Sequence, residues 1–334
     1  MPSTRGATGP HPPSTIGLDV GGTKILGLLV GADDEVLLEE RVPTPPDGAG
    51  LLDTLAAVAR SVLASASPLV DGGRVGPVGA IGVGAPGLVD RTGRLRFAAN
   101  LAGAVELPIG PALADSSGLP VAVDNDATCA LRGEHAMGAA RGAVDAVLVT
   151  LGTGIGSGIL LDGSIVRGAN GFAGEAGHMV VDRGGVPCPC GRRGCWERYA
   201  SGTGLGRFGR DAAEAGTSAR LVALAGGDPL AVRGEHVTRA AREGDAAALA
   251  VVDELAEWVG VGLVNLTQLL DVSLVVIGGG LAESADVLLG PIRLAFERRQ
   301  VAPAHRPPVT IVAAELGERA GAIGAAHLAR SVAS

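Results

Sequence analysis

Ile16-Gly-Leu-Asp19-Val20-Gly21-Gly22-Thr23-Lys24 opens the stretch that decides the fold, and Ile25-Leu-Gly-Leu-Leu-Val30 completes it. The apolar run ending at Asp19 and Val20 reads as a buried strand. Gly-Gly-Thr is a tight turn, and the second apolar run is the returning strand. A third run, 35–42, stops at the Pro-rich break Pro43-Thr44-Pro45-Pro46. The same order recurs downstream: a strand at 146–151, the turn Gly152-Thr153-Gly154, a return at 157–161 and a short strand at 164–166. Strand, glycine turn and strand, repeated about 130 residues apart, predict two similar lobes around a central cleft.

Helices alternate with strands through the rest of the chain, which places it in the α/β class. Residues 51–66 carry Leu52, Leu55, Ala56, Ala59 and Val62 or Leu63 on one helical stripe, and 126–137 reads as a helix behind an Asx cap. Short buried strands are predicted at 78–83, 120–123, 274–277 and 309–313, a long helix at 245–270 and a closing helix at 320–330. The expected organisation is a disordered arm over 1–15, an N-terminal lobe over 16–125 and a C-terminal lobe over 126–318. The helix 319–331 is expected to pack back on the first lobe.

Of 334 residues, 54 are glycine and only seven are aromatic, while 47% are hydrophobic. Disorder is excluded as the overall state, and the core must be built from Ala, Val, Leu and Ile. The net charge of −8 argues against a nucleic-acid partner. The first fourteen residues lack the apolar segment of a secretion signal, and no eighteen consecutive residues are apolar. A cytoplasmic protein with no membrane association is therefore expected.

Lys24 is the only lysine, and it follows Thr23 rather than preceding a Ser or Thr, so the chain holds no P-loop. Two literal GxGxxG matches, at Gly82–Gly87 and Gly204–Gly209, lack the strand-to-helix setting of a dinucleotide site. Phosphates instead find their donors in glycine hairpins, whose backbone N–H groups can be approached closely. Gly21, Gly22 and Thr23 form one such hairpin and Thr153 and Gly154 the other. Asp19 is placed to hold Mg²⁺ through water, and Gly278-Gly279-Gly280 is a third turn, suited to the nucleoside.

His178, Cys188, Cys190 and Cys195 have the spacing H-x9-C-x-C-x4-C, a soft donor set that suits tetrahedral Zn²⁺. Four protein ligands would close the site, which makes its role structural. Cys129 stands apart and reads as a small buried hydrophobe. Asp124-Asn125-Asp126 lies where a strand meets a helix. It fits helix capping, and it equally fits a carboxylate that accepts the proton of a substrate hydroxyl during phosphoryl transfer. Asn100, Glu175 and Glu197 are further polar groups suited to a polyol.

Four motifs together carry a family resemblance: Asp19-Val-Gly-Gly-Thr-Lys24, Val123-Asp-Asn-Asp-Ala127, Gly174-Glu-Ala-Gly-His178 and Cys188-Pro-Cys-Gly-Arg-Arg-Gly-Cys-Trp-Glu197. From about Ile16 to Arg330 the chain resembles the ROK family of sugar kinases and repressors, in particular its ATP-dependent glucokinases. The resemblance implies an actin-like ATPase (ribonuclease H-like) fold and transfer from ATP with Mg²⁺ to O6 of glucose or a related hexose. It makes Asp126 the catalytic base. Asn100, Asn125, Asp126, Glu175, His178 and Glu197 become sugar contacts, with His178 also a ligand of a structural Zn²⁺. Gly21, Gly22, Thr23, Thr153 and Gly154 become phosphate contacts, and Gly279 lies near the adenosine. A homodimer or homotetramer is implied by the same analogy.

The alternatives are an N-acetylmannosamine or other amino-sugar kinase of the family and a sugar-sensing repressor. Repressors of the family carry a DNA-binding segment ahead of the first glycine motif, and only Pro-rich residues stand there in this chain. Two positions depart from the family pattern: Ala104, where glucokinases often have Trp, and Ala176, where a larger aliphatic residue is usual.

Overall fold

The structure, a computed structural model, describes residues 11–99 and 101–333, without the side chain of Ala49. Ten residues of the expected arm and the expected sugar contact Asn100 thus lie outside the described residues. The chain falls into two compact units. One comprises 1–137, 169–172 and 319–334, and the other 138–168 and 173–318.

In the first unit, β1 (Ser14–Val20), β2 (Lys24–Val30) and β3 (Val36–Pro43) form an antiparallel meander. Ser14 and Thr15, expected in the arm, are buried in β1 because Ser14 bonds back to Pro77 and Gly76. After α1 (Leu51–Asp71), β4 (Val78–Ala85) returns parallel to β1. The strands β5 (Leu88–Val89), β6 (Leu95–Phe97) and β7 (Val105–Leu107) make a small separate sheet. Then α2 (Ile109–Ser117) leads to β8 (Val121–Asn125), parallel to β4, and α3 (Asp126–Met137) follows directly. The five-stranded sheet has the order β3-β2-β1-β4-β8. Its core sets Ile16, Leu18 and Ile25 with Leu55, Val58 and Val62 of α1.

The second unit repeats this plan. β9 (Ala146–Leu151), β10 (Ile155–Leu161) and β11 (Ser164–Ile165) form the meander. The helices α4 (Glu197–Ala200), α5 (Gly202–Glu214), α6 (Ala219–Leu224), α7 (Gly234–Arg242) and α8 (Ala246–Leu270) follow. Then β12 (Leu274–Gly278), α9 (Ala285–Arg299) and β13 (Thr310–Ala313) complete the sheet. Its order, β11-β10-β9-β12-β13, with β12 parallel to β9 and β13 parallel to β12, matches that of the first unit strand for strand. The core packs Val147, Val149 and Leu151 with Leu255, Val259 and Leu263 of α8 and with Trp196.

The last helix, α10 (Ala320–Ala329), belongs to the first unit. It is built of small residues and lies unusually close to its neighbours. A methyl on Gly17 or Gly82 of the sheet would meet α10 carbonyl oxygens at 1.9 and 1.8 Å, and one on Gly133 of α3 would meet the Ala320 oxygen at 2.3 Å. This packing keeps α3 in the first unit, whose leading segment runs to Met137 and not to the boundary expected after Asn125.

Other differences have local causes. α1 runs beyond Ala66 to Asp71, with Pro68 in its closing turns. Gly204–Gly209 lies inside α5, capped by the Ser201 hydroxyl, while Gly87 leads into β5 and no helix. No helix among the described residues is long and apolar enough to cross a membrane.

Candidate active site and metal centre

In the first unit, register places Asp19 of β1 beside Gly84 of β4, and Gly84 beside Asp124 of β8. Residues in one row across a sheet share a face. Gly84 leaves room there, and the first turn of α10 closes over Asp19: a methyl on Gly321 would stand 2.5 Å from the Asp19 carboxyl carbon. Burial first, and then the neighbouring charge of Asp126, push Asp19 up to about 8, with Lys24 pulling the other way. Two carboxylates that raise one another's cost of ionisation make a site that a divalent cation would stabilise in its ionised form.

Asp126 is the first residue of α3. Burial raises its carboxyl above the usual carboxylate range, opposed by donors from the Ala127 amide, its own amide and the Asn125 side chain. The capping role falls to Asn125, whose Oδ1 accepts from the Thr128 amide at 3.1 Å while its Nδ2 donates to the Gly87 carbonyl at 3.2 Å. Asp126 shares the capping of this turn, since its Oδ1 accepts from the Ala127 amide at 2.9 Å. Behind it, buried Asp124 lies 4.0 Å from the Arg132 guanidinium on the same helix, and Cys129 is fully buried.

The first hairpin closes through the Gly21 amide donating to the Lys24 carbonyl at 2.9 Å. Nothing stands within 4 Å of where a Gly22 side chain would begin, so this peptide is open to a ligand.

In the second unit, His178, Cys188, Cys190 and Cys195 converge, with one ligand atom from each lying within 4.8 Å of all the others. The Cys190 and Cys195 sulfurs are 3.6 Å apart, and Cys188 Sγ is 3.8 Å from His178 Nδ1. Bonds of about 2.3 Å around a tetrahedral zinc put sulfurs roughly 3.8 Å apart, so the donor set fits that ion. The electrostatics are those of thiols crowded together. Burial, and then the Glu197 carboxylate, hold Cys188 well above the ordinary thiol range. Against the cost of its own burial, Cys190 is brought down to about 7 by the Arg192 amide and the neighbouring thiols.

The expected sugar carboxylates gather around the same histidine. Glu197 Oε1 lies 3.7 Å from His178 Nδ1 and accepts from Cys188 Sγ at 3.0 Å, and Glu175 Oε2 lies 3.9 Å from His178 Nε2. The histidine thus turns one nitrogen to the cysteines and the other away from them. Glu197 also reaches the second glycine hairpin, where its Oε2 occupies the space a Gly154 side chain would need, at 2.7 Å. Gly279, at φ +77°, packs against the Leu151 backbone just ahead of that hairpin.

An aromatic cluster fixes this loop. Trp196 is fully buried between Cys195 and Glu197, and its Nε1 donates to the Trp258 carbonyl at 2.7 Å. Tyr199 stacks on Trp258 with ring centroids 4.3 Å apart, and its hydroxyl donates to Asp182 and accepts from the Val186 amide. Sequence reading had no signal for this cluster beyond the rarity of aromatic residues in the chain.

A model of the ROK family matches residues 15–332. A glucokinase from Streptomyces coelicolor is 40% identical over 321 residues, covering 95% of this chain and 97% of the relative. A glucokinase from Halalkalibacterium halodurans is 37% identical, covering 94% of each. Among solved structures, a ROK family glucokinase from Streptomyces griseus in complex with glucose and AMPPNP superimposes with a TM-score of 0.83 at 39% identity, over 95% of this chain and 99% of that one.

Proposed function

The chain belongs to the ROK family, and on that premise we propose that it is a glucokinase, transferring the γ-phosphoryl group of ATP to O6 of glucose. The observation that carries this reading is the match, over 95% of the chain, to a glucokinase solved with glucose and an ATP analogue. It gives the actin-like ATPase fold to the doubled strand order, and it supports reading the clustered carboxylates as a sugar-kinase site. The amino-sugar kinase and repressor readings are not favoured, because the relatives at 37–40% identity are glucokinases.

Asp126 takes the proton of the sugar 6-hydroxyl as the oxygen attacks the γ-phosphorus. A carboxylate raised by burial is a stronger base than one in water, provided it is ionised at the working pH. We assign sugar binding to Asn100, Asn125, Glu175, His178 and Glu197, whose amides, imidazole and carboxylates can each bond a hydroxyl. Backbone donors of the two glycine hairpins bind the phosphates. Mg²⁺, when bound, would neutralise developing phosphate charge, with Asp19 as the residue that holds it.

Zn²⁺ would be held by His178, Cys188, Cys190 and Cys195, with no position left open for substrate. Its contribution is to order the loop that carries Glu175, His178 and Glu197. A cytoplasmic homodimer or homotetramer completes the reading by family analogy.

The test is an ADP-release assay with Mg-ATP against glucose, mannose, fructose, N-acetylglucosamine and N-acetylmannosamine. Turnover dominated by glucose supports the proposal. Preference for an N-acetyl sugar would overturn the substrate assignment, and silence on every sugar would overturn the reaction.

A further inference from the structure

The Pro-rich break after β3 holds a residue that the reaction leaves without a role. Thr44 stands between Pro43 and Pro45, and the following Pro45 biases it to extended backbone. Its hydroxyl donates to the Gly21 carbonyl at 2.7 Å, and its amide donates to the Thr23 carbonyl at 3.0 Å. The first glycine hairpin is therefore tied back at both ends of its turn by one threonine.

The second hairpin is tied back in the same way from unrelated sequence. In the first turn of α5, the Thr203 hydroxyl donates to the Thr153 carbonyl at 2.7 Å, and the Gly202 amide donates to the Gly152 carbonyl at 2.7 Å. Each hairpin thus has one carbonyl held by a threonine hydroxyl and one by a backbone amide.

All described peptide bonds are trans, so each carbonyl and the following N–H point in opposite directions. Pulling the Gly21 carbonyl toward Thr44 aims the Gly22 N–H the other way. Pulling the Gly152 and Thr153 carbonyls toward α5 does the same for the Thr153 and Gly154 N–H groups. Among the described residues, none of these three amides donates a hydrogen bond within the chain. They are three of the phosphate donors assigned above, already oriented.

We propose that Thr44 and Thr203 are positioning residues for nucleotide phosphate, each fixing the peptide plane of one hairpin so that its N–H groups meet the anion without reorganisation. The inference rests on the kinase reading for the identity of the ligand, and on the hydrogen bonds for the mechanism. A glycine turn left to itself samples many orientations. One hydroxyl-to-carbonyl bond is enough to remove most of that freedom.

The test uses the full chain with Thr44→Val, Thr203→Val and the matching Ser variants. Val keeps the shape and removes the donor, while Ser restores the donor. Titration calorimetry with Mg-AMPPNP reads nucleotide affinity directly, and glucose affinity and melting temperature are measured alongside. Each Val variant should weaken AMPPNP about five- to tenfold, the worth of one hydrogen bond, with glucose affinity unchanged and the Ser variants near wild type. Val variants that bind AMPPNP as wild type does would overturn the proposal, as would equal losses for AMPPNP and glucose. The wild-type control separates the two readings. Binding of AMPPNP that the Val variants weaken, without turnover of glucose, leaves the clamp standing and removes the glucokinase assignment. No binding by wild type removes both.

Discussion

Gly262→Ala is a sharp probe of how the fold holds the site, because it sets two known effects against each other. In an exposed helix interior the change gains about 1 kcal/mol of helix propensity. Gly262 lies in α8, however, directly under the Trp196 indole. A methyl there would stand 1.9 Å from Trp196 Cε2 and 2.2 Å from Cζ2, where carbon atoms need about 3.5–4.0 Å. The ring is fully buried and tied to the Trp258 carbonyl, so it cannot swing into solvent. Overpacking of this severity costs about 3 kcal/mol, and straining the indole hydrogen bond adds about 1 kcal/mol. The net expectation is a loss of about 3 kcal/mol, measured by urea unfolding. Trp196 sits between Cys195 and Glu197, the proposed zinc ligand and sugar contact, so turnover should fall as well. Trp196→Phe removes the clashing ring at its own cost, and in a double-mutant cycle the pair should be less harmful than the two losses added. A Gly262→Ala protein as stable as wild type, or strict additivity, would refute the packing argument.

Asp19 offers a test of sign. Its folded pKa, about 8, lies above the ordinary 3.8, so its stabilising contribution is complete below that lower value and lost as pH rises through the higher one. Without Mg²⁺, Asp19→Asn should match wild type near pH 4 and exceed it above pH 8 by about 3 kcal/mol, roughly half what a full shift of this size implies because Asp19 keeps partial exposure. A pH-independent difference in unfolding free energy would contradict this. Chelation of zinc, or Cys190→Ser, should lower the melting temperature and shift tryptophan emission to the red, since Trp196 is anchored beside the ligands and both tryptophans belong to one cluster. Unchanged emission after complete zinc removal would count against the structural role. The acid limb of kcat/KM should lie above the usual carboxylate range, because burial raises Asp126 in the free enzyme and the proposed base must be ionised. A pH–rate profile with an ordinary aspartate limb would contradict that assignment.

Much of this was legible in the residues themselves. Ile16–Val30 and its echo at 146–161 specify strand–turn–strand because apolar runs flank glycines, and the ladders follow. The Cys188–Cys195 cluster is legible because thiols so close in a chain have few other uses. The helices α5 to α7 were not read. Gly202–Glu214 contains four glycines and looks like loop by propensity, yet it is helical because Ser201 caps it and Gly209 admits Val232 and Val237 at close range. The gathering of Glu175 and Glu197 around His178, and the reach of Glu197 to Gly154, depend on tertiary placement that spacing does not encode. Thr44 was visible only as part of a proline break, since its bond to Gly21 spans a strand pair. Ala104 is fully buried, and its backbone lies close against Gly48.

Asp126 is the proposed base of an ATP-dependent glucose phosphorylation, and Asp126→Asn isolates that role. Asn keeps the shape and cannot accept the proton. Turnover of glucose with saturating Mg-ATP should fall by about 10²–10⁴-fold, while glucose affinity, measured by calorimetry, stays within a few-fold of wild type. An Asp126→Asn enzyme that retains full turnover would contradict the account.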